Sequence, residues 1–312
     1  MYNMEIIIPT WNRCEYLDRT LSQFAESPFS NNKITIIDNN STDNTPEICE
    51  KYKKVFPNLK IVRNNKNIGL SANILRCFEF AEEKYLWLLG DNDNYDFSDC
   101  SELIDVLENS DFDLIIVENV MNIECPQITN TQEIFDDGNG NEIFHQFATL
   151  ATYIIKTDLI TEEAIQKGYT IAEYLYPQIS FVINACDKNS SIYILNKKIR
   201  IGDSNPHVSY NTLDLVNGWV SSFLAFEKKY RNEGIRCYLS HKPLWFSLFG
   251  SIIAVKARKI PNYRKTLNNL IISVIRAKGV IGLIYAFIML ILSLIPSKIC
   301  EYILNKFYEI YE

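Results

Sequence analysis

The sequence predicts an α/β fold built on a mostly parallel sheet, and three observations carry that expectation. Apolar runs of strand length alternate with stretches of helical periodicity over residues 4–117, which implies parallel pairing through helical crossovers. The runs are continuously apolar rather than alternating, so both faces of each strand are expected to be covered. Clusters of Asp, Asn, Ser and Thr stand where the strands end, on the edge where open α/β sheets bind their ligands.

Each element has its own signal. MEIII (4–8) opens the sheet and is followed by a helical pattern from Arg13 to about Glu26. KITIID (33–38), LKIVR (59–63), YLWLL (85–89) and DLIIV (113–117) are the following strands, with helices expected over 45–55, 71–83 and after Ser98. Thr45, with Pro46 behind it, reads as a helix cap, as do Ser71 and Ser98, because a hydroxyl there can satisfy an otherwise unpaired amide. Further on, ITNTQEIFDDGNGNEIF (128–144) reads as an acidic surface loop leading to a helix.

Composition limits the function classes. A chain of 312 residues with 47% apolar and 22% charged residues is globular and exceeds the usual size of one domain. The expected organisation is a first domain over 1–215, divided into halves at 120/121, and a helical region over 216–312. Eight scattered cysteines without a C-x-x-C pair, and no signal-peptide pattern at the start, are expected of reduced thiols in the cytoplasm.

Charge is unevenly distributed. Between Gly234 and Cys300 there is no acid but ten Lys and Arg, so the rest of the chain carries −7 − 10 = −17. Within that basic stretch, GVIGLIYAFIMLILSLIP (279–296) has no charge over 18 residues, just short of the roughly 20 that span a bilayer. A basic segment leading into an apolar helix is expected to attach to the anionic inner face of the cell membrane. Burial of that helix in an oligomer contact is the competing explanation. Nucleic acid is not an expected partner, since no groove-type motif interleaves aromatics with the basic residues.

The polar loops suggest a nucleotide site. Asp38, at the end of a buried strand, is placed to accept hydrogen bonds from a ribose or base. Asp91 and Asp93, alternate residues of a segment taken as extended, would point the same way. Two converging carboxylates repel, and a divalent cation relieves the repulsion while offering charge to a diphosphate. The plainer explanation is a solvated turn or a small calcium loop, although the twelve-residue calcium spacing is not met.

IIIPTWNR, IIDNNSTDNT, NKNIGLSANI and LWLLGDND, in that order over residues 4–120, resemble the nucleotide-binding half of family 2 glycosyltransferases. The resemblance implies a GT-A fold with an Asp-x-Asp motif after the fourth strand. By that resemblance, Pro9, Thr10, Asn12 and Arg13 line the base and ribose pocket, and Asp38, Asn40, Ser41 and Asp43 complete it. Asn67, Gly69 and Asn73 form the floor under the diphosphate. Asp91 contacts the ribose or donor sugar at the catalytic centre, and Asp93, with Asp91, holds Mn2+ or Mg2+. Trp11 stands where a Tyr is usual, which keeps an aromatic platform.

The resemblance further implies an inverting transfer of a sugar from a nucleotide-diphosphate donor to a glycan acceptor, with a carboxylate as general base. Residues 1–120 would be the nucleotide-sugar half, 121–215 the acceptor half, and a lipid-linked acceptor would suit a membrane-attached C-terminal region. Glu173 is the first candidate for the base; Asp158, Asp187 and Asp203 remain open, and His207 is a candidate for the diphosphate or the acceptor. Two rival functions are a catalytically silent nucleotide-sugar-binding or scaffolding module at the membrane, and a nucleotidyltransferase. The latter would want a glycine-rich basic loop after the first strand, and PTWNRCEYL is not one. The absence of G-x-G-x-x-G argues against a dehydrogenase.

Overall fold

A computed structural model describes residues 2–120, 122–138, 140–201, 211–239 and 247–311. The chain forms two compact units, Met1–Tyr169 with Pro177–Pro206, and Thr170–Tyr176 with His207–Glu312. The boundary expected at 215/216 falls inside the helix Thr212–Phe223.

The first unit runs β1 (Met4–Thr10), α1 (Cys14–Ala25), β2 (Lys33–Asp38), α2 (Thr45–Tyr52), β3 (Leu59–Arg63), α3 (Leu70–Glu79), β4 (Tyr85–Leu88) and α4 (Ser101–Asn109). It continues with β5 (Leu114–Ile116), β6 (Ile128–Asn130), α5 (Thr131–Asp136), α6 (Gly140–Ala148), β7 (Tyr153–Lys156), α7 (Glu162–Thr170), α8 (Ile179–Asp187) and β8 (Ser191–Ile194). These make an eight-stranded sheet in the order β3-β2-β1-β4-β7-β5-β8-β6. β1 to β4 are mutually parallel neighbours, and every residue of β1 and β4 is buried. That explains their largely apolar sequence; Glu5 in β1 is buried against Lys33 at 3.1 Å.

Strand order reverses at β1. The chain crosses from β1 to β2 and β3 on one side, then returns to place β4 on the other. Ile7 pairs with Leu88, and the Leu89 amide donates to the Ile7 carbonyl at 3.0 Å. Two strand ends therefore open side by side at a topological switch point, where a crevice forms between diverging loops. Beneath them Phe24, Trp87, Tyr95 and Phe97 pack edge-on and stacked, and the Trp87 Nε1–H is satisfied by the Ala151 carbonyl at 3.0 Å.

Several expectations are corrected. β7, which has no counterpart among the expected strands, inserts antiparallel between β4 and β5. Residues 128–144 hold β6, α5 and part of α6 rather than a surface loop; Ile134 of α5 and Ile143 and Phe144 of α6 are fully buried, too few apolar residues among the polar ones to mark two short helices. The expected hydroxyl caps are not used. Asp43 accepts from the Thr45 amide, Asp99 accepts from the Ser101 amide, and α3 starts behind Gly69 without a side-chain cap. A carboxylate is the stronger acceptor for the positive end of a helix.

The second unit is helical: α9 (Thr212–Phe223), α10 (Lys228–Leu239), α11 (Gly250–Ala257), α12 (Tyr263–Lys278), α13 (Val280–Leu294) and α14 (Ser297–Tyr311). Trp219 is fully buried and donates to the Gly234 carbonyl at 2.6 Å, tying α9 to α10. The Ser221 and Ser273 hydroxyls meet at 2.9 Å between α9 and α12. α13 turns Gly282, Ala286 and Met289 inward and leaves Val280, Ile284, Phe287 and Leu294 at least half exposed. Among the described residues no single helix is long and apolar enough to cross a membrane, and α13 and α14 meet at a 103° bend.

Candidate active site

The candidate site is built at the ends of β1, β2, β3 and β4. Thr10, the last residue of β1, donates its hydroxyl to Asp91 Oδ2 at 2.8 Å, and Arg13 Nη1 stands 3.3 Å from Asp91 Oδ1. Asp91 is 6% exposed. Burial pushes its pKa up to about 6, against the pull of Arg13 and the Thr10 hydroxyl. A buried carboxylate costs free energy to ionise, and these partners recover part of that cost.

Asp91 and Asn92 form a turn rather than an extended segment. The expected geometry, alternate side chains aligned along a strand, is therefore corrected. β4 ends at Leu88, and α1 holds the turn from below. The Thr20 hydroxyl donates to the Asp91 carbonyl at 3.1 Å, Gln23 Nε2 to the Asp93 carbonyl at 3.4 Å, and the Tyr95 amide to Gln23 Oε1 at 2.8 Å.

Asp93 points to a different cation. Arg200 Nη2 donates to Asp93 Oδ1 at 2.7 Å and Arg200 Nη1 to Glu118 Oε2 at 2.6 Å. Backbone pairing fixes Arg200 there: the Asp96 amide donates to Ile199 at 2.8 Å and the Ile201 amide to Asn94 at 2.9 Å. Two acids two residues apart in sequence thus each carry their own arginine.

The β2 end supplies the neighbouring loop. Asp38 is 2% exposed and uses both oxygens within the protein, Oδ1 accepting from the Ser41 amide at 2.8 Å and Oδ2 paired with Arg63 at 2.9 Å. Each carboxylate oxygen has two lone pairs, so acceptor capacity remains. Asn12 and Asn40 adopt left-handed backbone conformations, φ 51° and 63°, which asparagine tolerates better than most residues. The Asn12 amide donates to Ser41 Oγ at 2.9 Å, and Asn12 Oδ1 accepts from the Thr42 amide at 2.7 Å. Asp43 also accepts from the Cys14 amide at 3.1 Å, so the β1 and β2 loops are sewn together.

Asparagines organise the third loop. Asn39 Nδ2 donates to Asn67 Oδ1 at 2.9 Å, and Asn64 Nδ2 donates to Asn39 Oδ1 at 2.9 Å and to Asn73 Oδ1 at 2.8 Å. Asn73 in turn donates to the Ile37 carbonyl at 3.2 Å. Gly69 follows at φ 85°, a conformation strained for other residues, and a side chain there would meet nothing within 4 Å. It exposes backbone to the crevice.

The expected residues Thr10, Arg13 and Asp91 thus meet directly; Asn12, Ser41 and Asp43 join the two loops, and Asn67, Gly69 and Asn73 belong to the asparagine network. Pro9 is buried inside β1 opposite Ile37. Glu173 lies on an exposed 3-10 turn, Ala172–Tyr174, in the second unit. Asp158 is exposed in the turn Thr157–Leu159, Asp187 ends α8, and Asp203 and His207 lie outside the described residues. Sequence reasoning missed Asn39, Arg63, Asn64, Glu118 and Arg200. The first three stand at strand ends and were findable there; Glu118 and Arg200 have no local signal.

A divalent cation fits this chemistry in one way. Among the described residues no three His, Cys, Asp or Glu side chains gather as a cage, so a cation here needs oxygens from a bound diphosphate. Asp93 suits that better than Asp91. Both Asp91 oxygens accept from protein donors, whereas Asp93 Oδ1 meets Arg200 and Oδ2 lies beside Gly90.

Residues 5–171 match the family model described as "Glycosyl transferase family 2". An abequosyltransferase of Salmonella typhimurium is 36% identical over 90 residues, 28% of this chain and 27% of that protein. The matched stretch thus spans well under half of that relative. The structure of Staphylococcus aureus TarS residues 1–349, solved with UDP-GlcNAc, superposes with a TM-score of 0.63 at 15% identity, covering 97% of this chain and 91% of that one. A mannosyltransferase from Pyrobaculum calidifontis, solved with GDP-Man and Mn2+, gives a TM-score of 0.54 at 13% identity over 97% and 87%. The shared fold is GT-A.

Proposed function

Because the chain belongs to glycosyl transferase family 2, we propose that it moves a sugar from a nucleotide-diphosphate donor to a glycan acceptor in surface polysaccharide synthesis. The observation that carries this reading is the convergence of the β1, β2 and β4 loops on one another at the sheet's switch point, with Asp91 held between Thr10 and Arg13. The donors and Mn2+ present in the fold's solved neighbours support it.

In this reading the donor and metal residues take the roles that the family resemblance implies, and Glu173 is the first candidate for the base. Asp38 and the Asn40–Asp43 turn take the base and ribose, with Arg63 neutralising Asp38. The Gly69 backbone leaves room for the diphosphate, and Asp91 takes the ribose or donor sugar. Asp93, with Asp91, would hold Mn2+ or Mg2+, which when bound draws charge from the departing diphosphate. Glu173 removes the proton of the acceptor hydroxyl as that oxygen attacks the anomeric carbon opposite the diphosphate, so the configuration inverts.

The acceptor in this reading is lipid-linked and the protein sits peripherally on the inner face of the cell membrane. The exposed apolar stripe of α13 and the acid-free basic stretch around it support that location.

The test is a panel of nucleotide sugars screened by thermal shift with and without Mn2+, since the correct donor raises the melting temperature by mass action. Asp93→Ala should then abolish Mn2+-dependent donor hydrolysis in a folded protein. Activity unchanged in EDTA removes the metal from the reading; no stabilising donor removes the transferase. Truncation after Ala277 should release the protein from the membrane fraction.

A further inference from the structure

The second unit contains a cavity of about 650 Å³ where α10 meets the turn between α12 and α13. Among the described residues its lining includes Lys228, Arg236 and Lys278, with Glu233 as the single acid. Lys278 Nζ is half-buried and oriented by Asn232, 3.0 Å from Oδ1 and 3.4 Å from the carbonyl. Arg236 Nη1 stands 3.5 Å from Glu233 Oε2. Three cations against one acid leave a formal excess of two positive charges in a space large enough for a small anion.

The cavity borders the exposed stripe of α13. Ile281 lines the cavity and is 54% exposed. From Val280 the stripe continues through Ile284, Phe287, Ile291 and Leu294, spaced at one face of the helix, with exposures of 77%, 57%, 64%, 48% and 80%. At 15 residues α13 is about 22 Å long, too short for a hydrocarbon core of about 30 Å. It suits lying along an interface.

A charged pocket bordered by Ile281, the chain neighbour of Val280 where the apolar stripe begins, matches an amphiphile with an anionic head. The excess of two positive charges matches a phosphate monoester, which carries about −1.5 to −2 near neutral pH. We propose that this cavity binds the terminal phosphate of a membrane lipid whose hydrocarbon lies against α13. The proposal rests on the membrane attachment stated above and deepens it from general attraction to a defined headgroup site.

Vesicle flotation tests it with full-length protein. Vesicles of phosphatidylcholine are doped with phosphatidic acid or with phosphatidylserine, matched in zeta potential. Wild type should bind the phosphatidic acid vesicles about tenfold more tightly. Lys278→Gln with Arg236→Gln should abolish that preference. Arg264→Gln with Lys265→Gln, which removes the same charge from exposed positions on α12 outside the cavity, should weaken both vesicle types alike and keep the preference. Ile284→Ser with Phe287→Ser should lower binding to both. Circular dichroism confirms that each variant is folded.

The outcomes separate the claims. Wild type that binds no vesicle overturns membrane attachment and this site with it. Wild type that binds both lipids equally, or a preference that survives the cavity substitutions, overturns the headgroup site alone. Displacement by soluble glycerol phosphate at concentrations equal to the lipid phosphate would assign the cavity to a free phosphate ester and also overturn it.

Discussion

Arg200 stands 2.7 Å from Asp93 and 2.6 Å from Glu118, so one guanidinium compensates two nearly buried carboxylates. Removing the cation leaves both acids without a counter-charge, a change that costs about 3–5 kcal/mol in comparable buried pairs. Arg200→Ala should therefore be strongly destabilised in urea unfolding. Arg200→Lys should fall between, because an ammonium cannot serve two carboxylates through a planar fork. Added Mn2+ should restore part of the Arg200→Ala loss if Asp93 binds the ion. A variant as stable as wild type would mean that water already screens the pair.

Asp91 gives a pH signature. Its pKa is raised from 3.8 to about 6, chiefly by burial. A raised folded-state pKa means that this group's contribution to stability is fully present below about 3.8 and is lost as pH rises through about 6. Asp91→Asn removes that loss. The variant should match wild type near pH 4 and exceed it by about 1–3 kcal/mol around pH 7.5, reading one pKa unit as roughly 1.4 kcal/mol and allowing for the ion pair that Arg13 loses. Chemical unfolding at a series of pH values checks the slope; a constant difference would contradict the assignment. Donor binding should fall in the wild type as pH drops through about 6, because protonation removes an acceptor.

The asparagine network predicts a loss without any change of charge. Asn64 donates to both Asn39 and Asn73, and its own environment is buried. Asn64→Ala leaves Asn73 Oδ1 without that donor, and an unsatisfied buried polar atom costs about 1–3 kcal/mol. The loop that ends at Gly69 should loosen, so hydrogen exchange over residues 64–69 should rise. Donor affinity should fall even though Asn64 was not expected among the donor contacts. Unchanged exchange there would show that Asn39 and Asn67 hold the loop by themselves.

Much of the first unit was legible because its signal is local. β2 and β3 match their expected ranges, KITIID and LKIVR, because each is a short, mostly apolar run closed by a polar residue, β2 buried and β3 half-buried at the sheet edge. Thr10, Arg13 and Asp91 were also legible, since each follows such a strand. β7 was not, because its place between β4 and β5 is decided by long-range pairing rather than by its own four residues. Arg200 was hidden for a related reason. It follows β8 in a weakly patterned stretch, and only the backbone pairing of 199–201 with 94–96 brings it to Asp93. The turn at Asp91 and Asn92 was misjudged as extended because alternation was assumed to outlast the strand. The strand stops at Leu88, one residue short of the end of the apolar run.

Glu173 can be tested without touching the carboxylate. It shares a 3-10 turn with Tyr174, whose carbonyl lies so close to Gly218 on α9 that an added Cβ would approach it to 2.3 Å. Backbone cannot yield as a flexible side chain does, so Gly218→Ala should push the turn away from α9. If Glu173 is the general base, the displacement should lower kcat in the same direction as Glu173→Gln, for which a loss of about 10²–10⁴ is expected. Both variants should keep donor affinity, because the residues proposed to hold the donor belong to the first unit. Calorimetry of donor binding beside steady-state kinetics separates the two quantities. A folded Gly218→Ala protein with wild-type kcat would show that catalysis does not depend on where this turn holds its acid, and the base would then have to be sought elsewhere.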